Sequence, residues 1–253
     1  MIYGLYLSAA GVMSNSYRQD VIANNLANSE TIGFKRDLAV FRERPTALRE
    51  RGQGGDYSDP ILENLGGGIL ASRSLLDNHQ GDLEHTGNPL DVAIVGNGYF
   101  SVTNGRQQTL TRDGRFMLNR NGELILSNDR GQRVLDPKGK PIHLDPNAPV
   151  AITSDGQITQ NGNAVGAIGL FDVANPALLK KQGGTMLAYP DGTPLQAATG
   201  SLAIESQEKS NVDPTTELAE LMTTQRNLEA NANMIKYQDS MLAQLVSSVG
   251  KIT

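Results

Sequence analysis

The chain has no cysteine, which excludes a disulfide framework and any thiolate metal site. It has no tryptophan, and aromatic residues make up only 5% of its 253 residues. A single large aromatic-rich core is therefore not expected. No apolar run approaches the ~20 residues a membrane span needs. Positive charge is not in excess either. The formal net charge is −5, which argues against a non-specific grip on nucleic acid. Histidine is confined to His79, His85 and His143. None has the spacing of a zinc motif, so loop positions are expected for all three. The amino terminus lacks the layout of a secretory signal. Its first basic residue is Arg18, and the segment from Ile2 to Met13 is broken by Gly4, Ser8 and Gly11. This leaves a cytoplasmic protein, or one exported by a machine that uses no cleaved signal.

Catalytic chemistry is equally thin. Gly96-Asn97-Gly98 opens like a dinucleotide loop, but Ser101 stands where the third glycine belongs. A calcium loop centred on Gly122 would put Met117 in its first ligand position, and a methionine is no ligand for calcium. Asp113, Glu123, Asp91 and Glu84 could supply a glycosidase pair, but nothing brings any two of them together. No serine sits in a nucleophile elbow. The expectation is a protein that is not an enzyme and needs no cofactor.

What is present is periodicity at both ends. Asp213 and Pro214 read as the N-cap and first residue of a helix. From there Leu218, Leu221, Gln225, Leu228, Ala232, Ile235, Asp239, Leu242, Val246 and Val249 follow alternating steps of three and four, and eight of the ten are apolar. That is a heptad stripe, and Gly250 supplies its stop. A helix of about 36 residues would be about 54 Å long, and its stripe needs a partner. Ile2, Leu5, Ala9, Val12, Ser16, Gln19, Ala23 and Leu26 keep the same rhythm, six of the eight being apolar. Two readings follow: the two termini pair as a coiled-coil-like bundle, or each is an ordinary core helix.

The middle differs. Residues 37–84 have no steady period and contain the Gly66-Gly67-Gly68 run, as an extended connector would. Arg18, Lys35, Arg36, Arg42, Arg44, Arg49 and Arg51 make the region after the first helix basic. Asp37, Glu43 and Glu50 interrupt it, as in a solvated or subunit-facing stretch. Residues 85–205 are short apolar runs punctuated by Asn-Gly at 97–98, 104–105, 121–122 and 161–162 and by Asp-Gly at 113–114, 155–156 and 191–192. These dipeptides favour tight turns. Strands are predicted at 91–95, 99–103, 116–118, 124–126, 150–153 and 167–173. The expected fold is therefore α+β, with long N- and C-terminal helices around an inserted all-β domain, an antiparallel barrel or sandwich. Its parts are 1–36 with 206–253 as the helical core, 37–84 as connector and 85–205 as the β domain.

Three segments together resemble the flagellar rod and hook family of axial proteins. The first runs from Ala23 through Asn24, Asn25, Leu26, Asn28, Gly33 and Phe34 to Arg36, and is similar to the family's "ANNLAN…T.GFKR" hallmark. The second is Asn88-Pro89-Leu90-Asp91, then Gly96-Asn97-Gly98-Tyr99-Phe100 and Thr111-Arg112-Asp113-Gly114. The third is Ser210-Asn211-Val212-Asp213 with Glu217-Leu218, Gln225-Arg226 and Glu229-Ala230-Asn231. The resemblance implies a structural subunit of the basal-body rod, proximal or distal, in the bacterial flagellum. It implies export by the flagellar type III apparatus, helical self-association through the terminal helices, and torque transmission as a drive shaft. The implied partners are further copies, other rod subunits, the hook protein, the surrounding rings and the export apparatus, with no nucleic acid and no membrane span. Phe34 and Leu38 have the Phe-x-x-x-apolar spacing associated with the export gate. A hook-type axial protein and a non-flagellar binding module carried by the β domain are the alternatives.

Overall fold

A computed structural model describes residues 2–45, 68–128, 130–190 and 192–249. Two compact units emerge. The first comprises 1–26, 37–75 and 213–253, and the second 27–36 and 76–212. Gly250 and the start of the Gly66–Gly68 run lie outside the described residues.

The first unit is built on two helices, α1 (Ile2–Ala27) and α2 (Pro214–Val249). The predicted length of α2 is met: it runs for 36 residues. Its start is set by Asp213, whose Oδ1 accepts from the Thr215 amide at 3.1 Å while Oδ2 accepts from the Thr216 hydroxyl at 2.5 Å. The first of these satisfies a backbone donor that has no partner inside the first helical turn. A short antiparallel pair of strands, Phe41–Glu43 with Ile69–Ala71, belongs to the same unit. Its Phe41 ring packs edge-on against Tyr17, with centroids 6.1 Å apart, and under the Arg18 guanidinium at 5.0 Å.

Beyond the end of α1, the described residues of the second unit form strands and one 3-10 turn (Pro176–Leu178). Its centre is the strand Tyr99–Thr103, which pairs antiparallel with Gln108–Thr111, Arg133–Val134 and Leu170–Val173. The sheet continues on one side to Met186–Ala188 and Lys180–Lys181, and on the other to Leu124–Leu126 and Phe116–Leu118. These two ends do not pair with each other, so the sheet is open. The expected barrel is corrected here: strands of two to five residues provide too little ladder to close a ring. A three-stranded sheet of Val150–Ile152, Gln157–Gln160 and Asn163–Ala167, a pair of Val92–Val95 with Ser201–Ile204, and a pair of Leu83–His85 with Ser206–Glu208 belong to the same unit. Val92, Ile94, Phe100, Val102, Leu124, Leu126 and Ile158 are fully buried in its main core. Phe100 and Phe116 meet edge-to-face there at 5.1 Å.

The turn dipeptides work mostly as expected. Asn161 and Gly162 both take positive φ, 50° and 80°, joining Gln157–Gln160 to Asn163–Ala167 as an Asn-Gly hairpin should. Gly114 is different. A Cβ there would sit 1.7 Å from the Val92 carbonyl oxygen. Glycine is required at 114 by a close backbone crossing and not by the turn.

Candidate assembly site

Helix α2 presents two faces. Toward α1 it turns Glu217, Leu221, Thr224, Leu228, Ala232, Ile235 and Leu242, all buried or half-buried. Its exposed apolar residues are Leu218, Met222, Met234, Tyr237, Met241, Leu245 and Val246, with Leu218 at 48%, Tyr237 at 64% and Val246 at 73% exposure. Met234, Tyr237, Met241 and Leu245 follow steps of three and four and share one side of the helix. Of the predicted stripe, Leu221, Leu228, Ile235 and Leu242 are therefore half-buried, whereas Leu218 and Val246 are exposed; Val249 ends the helix. On α1, Leu5, Ala9, Val12 and Leu26 are half-buried and Ile2 begins the helix, while Tyr6, Leu7 and Met13 are exposed. An exposed apolar row of this length on a single helix is the kind of surface that marks an interaction site.

Contacts between the helices follow one register. The amide of Gln238 covers Gly4, that of Asn231 covers Gly11, and Asn25 Nδ2 approaches Glu217 Oε2 at 3.5 Å. Each advance along α1 is matched by an equal retreat along α2, so the helices run antiparallel. Asn25 also ends α1. Its side chain donates to the Asp37 carbonyl and accepts from the Asp37 amide, both at 2.9 Å. In the same motif Asn24 is exposed and Asn28 half-buried, and the Asn28 carbonyl accepts from the Thr31 amide at 3.1 Å.

The second unit holds a buried charge cluster that joins the motif segments. Lys35 is 3% exposed, Arg112 4% and Glu208 1%. Lys35 Nζ donates to Glu208 Oε1 and to the His79 carbonyl, each at 2.6 Å. Arg112 donates through Nη1 to Glu208 Oε2 at 3.0 Å and through Nη2 to the Gly96 carbonyl at 2.7 Å. Its guanidinium also lies 5.2 Å over the Tyr99 ring. The Gly81 amide adds a third donor to Glu208 at 3.0 Å. Burial pushes the Lys35 ammonium below the usual lysine range, against the pull of Glu208. Burial also raises the Tyr99 phenol to about 12.

Neighbouring motif residues reinforce this cluster. The Gly33 amide donates to the Glu208 carbonyl at 2.8 Å. With φ of +70° Gly33 presses onto the 112–113 backbone, where a Cβ would come within 2.3 Å of the Asp113 nitrogen. Phe34 is buried beneath the Lys181 ammonium, 3.6 Å from its ring centroid, whereas Leu38 is exposed. The Arg36 amide donates to Asn211 Oδ1 at 2.7 Å, and Asn211 Nδ2 donates to the Asp77 and His79 carbonyls. Asn88 and Asp91 bond each other and Thr86, so Asn-Pro-Leu-Asp is a structural turn.

Lys35 thus belongs to no solvated stretch, in contrast to the sequence reading. Glu208 was missed altogether. The signal lay in its strand, Ser206–Glu208, where Ser206 and Glu208 share the buried face: an acidic residue on an inward face demands a cation. No cluster of metal-ligating residues occurs among the described residues. No described helix is long and apolar enough to cross a membrane.

Three family models match in chain order. Residues 5–35 match the flagella basal body rod protein model, 93–160 the flagellar hook protein FlgE/F/G D1 domain, and 205–248 the flagellar basal body rod FlgEFG protein C-terminal model. Each contributes one member of the Lys35–Arg112–Glu208 cluster. Among curated relatives, a flagellar basal-body rod protein FlgF of Mesorhizobium japonicum is 32% identical over 97% of this chain and 97% of its own. FlgF of Caulobacter vibrioides is 32% identical over 98% of each. A flagellar basal-body rod protein FlgG of Bacillus subtilis is 31% identical over 98% of this chain and 99% of its own. Likeness of this degree across nearly the whole of both chains, on segments that meet in the fold, settles the family: the chain belongs to the flagellar basal-body rod proteins, which are structural proteins and not enzymes.

Proposed function

We propose that the chain is a rod subunit that leaves the cytoplasm through the flagellar type III apparatus and polymerises helically through α1 and α2. In this reading residues 1–36 and 206–253 form a coiled-coil-like core, 37–84 a connector and 85–205 an outer β domain, and the polymer transmits torque as a drive shaft. The observation that carries the reading is the outward apolar row of α2. It is too long to remain in water on a stable monomer, and further copies of the same chain offer the matching surface. Burial at ~25 cal/mol per Å² repeated over many copies then drives assembly. Other rod subunits, the hook protein and the surrounding rings would contact the two ends and the outside of this polymer. A strain lacking the chain should be non-motile, with basal bodies that lack complete rods in electron micrographs; normal rods would overturn the proposal. A hook-type subunit is the competing reading, favoured by the hook-protein name on the model over 93–160. Intact rods without hooks in that strain would favour it.

Phe34 enters the export step only in the unfolded chain, because the fold buries it. If Phe34 and Leu38 form the export-gate contact, Phe34→Ala should leave the protein in the cytoplasm in a secretion assay. Secretion at the wild-type level would remove Phe34 from that role.

A further inference from the structure

We propose that Gly4–Gln238, Gly11–Asn231 and Asn25–Glu217 form a set of polar layers that fixes the axial register of α1 against α2. A seven-residue repeat cannot do this by its apolar residues alone. Sliding one helix by a heptad brings the same kinds of residue back into contact. Something must distinguish the correct offset from the slipped one.

The layers have the properties this task requires. They fall seven and then fourteen residues apart on both helices, in one antiparallel register. The first two are pairs matched in size. A Cβ added to Gly11 would lie 2.8 Å from Asn231 Nδ2 and 3.0 Å from its Cγ, and one added to Gly4 would lie 2.9 Å from Gln238 Nε2. The amides therefore occupy the space that the missing side chains leave. The two glycine layers also work against stability. Glycine is the poorest helix former after proline, and Gln238 Oε1 is buried without a hydrogen-bond partner among the described residues. The carbonyl of Gly11 receives both Ser14 Oγ, at 3.0 Å, and Asn15 Nδ2, at 2.9 Å, so the helix is locally tied where the amide arrives. Polar groups kept in a helix seam at a cost in stability, and in matched positions, are best known for specifying register.

The consequence rests on the rod reading. A slip of one heptad would shift the outward row of α2 by about 10.5 Å along the seam. Copies that differ in this way could not repeat in one lattice, so the layers keep every subunit the same.

The test is allele-specific suppression. Gly11→Asn should reduce swarming about tenfold, the size of a close pairwise coupling. Asn231→Gly in the same chain should restore it by moving the amide across the layer, and Gln238→Gly should not. Equal rescue by either, or full swarming by Gly11→Asn alone, overturns the proposal. A second measurement reads the register in the assembled rod directly and not through motility. The chain has no natural cysteine, and a sulfur at the Asn231 Cγ position would lie at disulfide reach of residue 11. Gly11→Cys with Asn231→Cys should form an intrachain disulfide, seen as a mobility shift on non-reducing gels of whole cells. Gly11→Cys with Gln238→Cys, one heptad off, should not. Comparable yields from the two pairs would overturn the register assignment, while the rod reading itself is judged separately in the deletion strain.

Discussion

Glu208 is a single carboxylate holding two buried cations. Removing one partner of a buried ion cluster leaves a charge without compensation, at a cost of about 3–5 kcal/mol. Glu208→Gln should therefore lower the urea unfolding free energy of the protein by about that amount. Lys35→Met should cost clearly less, because Arg112 still neutralises Glu208 and the desolvated ammonium is gone. Equal losses would mean that the cluster acts by packing and not by charge. Tyr99 beside it gives a pH signature. Its folded pKa of about 12 lies above the ordinary value of 10.0. Between those values the unfolded chain loses its phenolic proton first, so this contribution to stability is intact below pH 10 and declines as pH rises through 12. Tyr99→Phe should flatten that decline in alkaline unfolding curves. At this scale the sequence was only half legible. Gly33 and Phe34 could be singled out from their motif, but the ion partner of Lys35 lies 173 residues away. No local pattern reports a pairing at such a distance, and so Lys35 read as one more surface charge.

Elements were more legible than contacts. The start of α2 was visible in Asp213 and Pro214, and its length in the unbroken heptads, because capping and periodicity are local properties. Strands Tyr99–Thr103, Phe116–Leu118 and Leu124–Leu126 match their predicted bounds. Gln108–Thr111, Ser201–Ile204 and Ser206–Glu208 were not predicted. They are short and partly polar, and tertiary pairing rather than propensity makes them strands. The cap of α2 can be tested directly. The Thr216 hydroxyl and the Thr215 amide hold the Asp213 carboxyl below the ordinary aspartate range. Its contribution should be complete at neutral pH and disappear as pH falls through that lowered value. Asp213→Ala should speed amide exchange in the first turn of α2 at pH 7, and the difference from the unmodified chain should close in acid. A difference that persists in acid would mean the cap acts through something other than its charge.

At the scale of the whole molecule the two units call for different stabilities. The β unit has a closed core of fully buried Val92, Ile94, Phe100, Val102 and Leu124 and is complete by itself. The helical unit keeps Leu218, Met222, Tyr237, Met241 and Val246 in contact with water, and its seam carries polar layers and two glycines. A long helix with only one thin apolar seam is marginal without tertiary support. Amide exchange in the unassembled chain should therefore be fast over 2–27 and 214–249 and slow over 92–204, and should become slow in all three once the chain is assembled. Strong protection of both helices in the monomer would show that neighbours are not what stabilises them. The same division separates assembly from folding in a mutant. Tyr237→Asp with Met241→Asp places two charges on the outward row and touches nothing in the β core. The urea midpoint of the β unit should stay where it is, and rods should be missing from purified basal bodies. Two carboxylates buried against an apolar neighbour each face a desolvation penalty of several kcal/mol, more than one subunit contact can offset. Rods of normal length in that variant would mean that the row is not the surface on which the polymer is built.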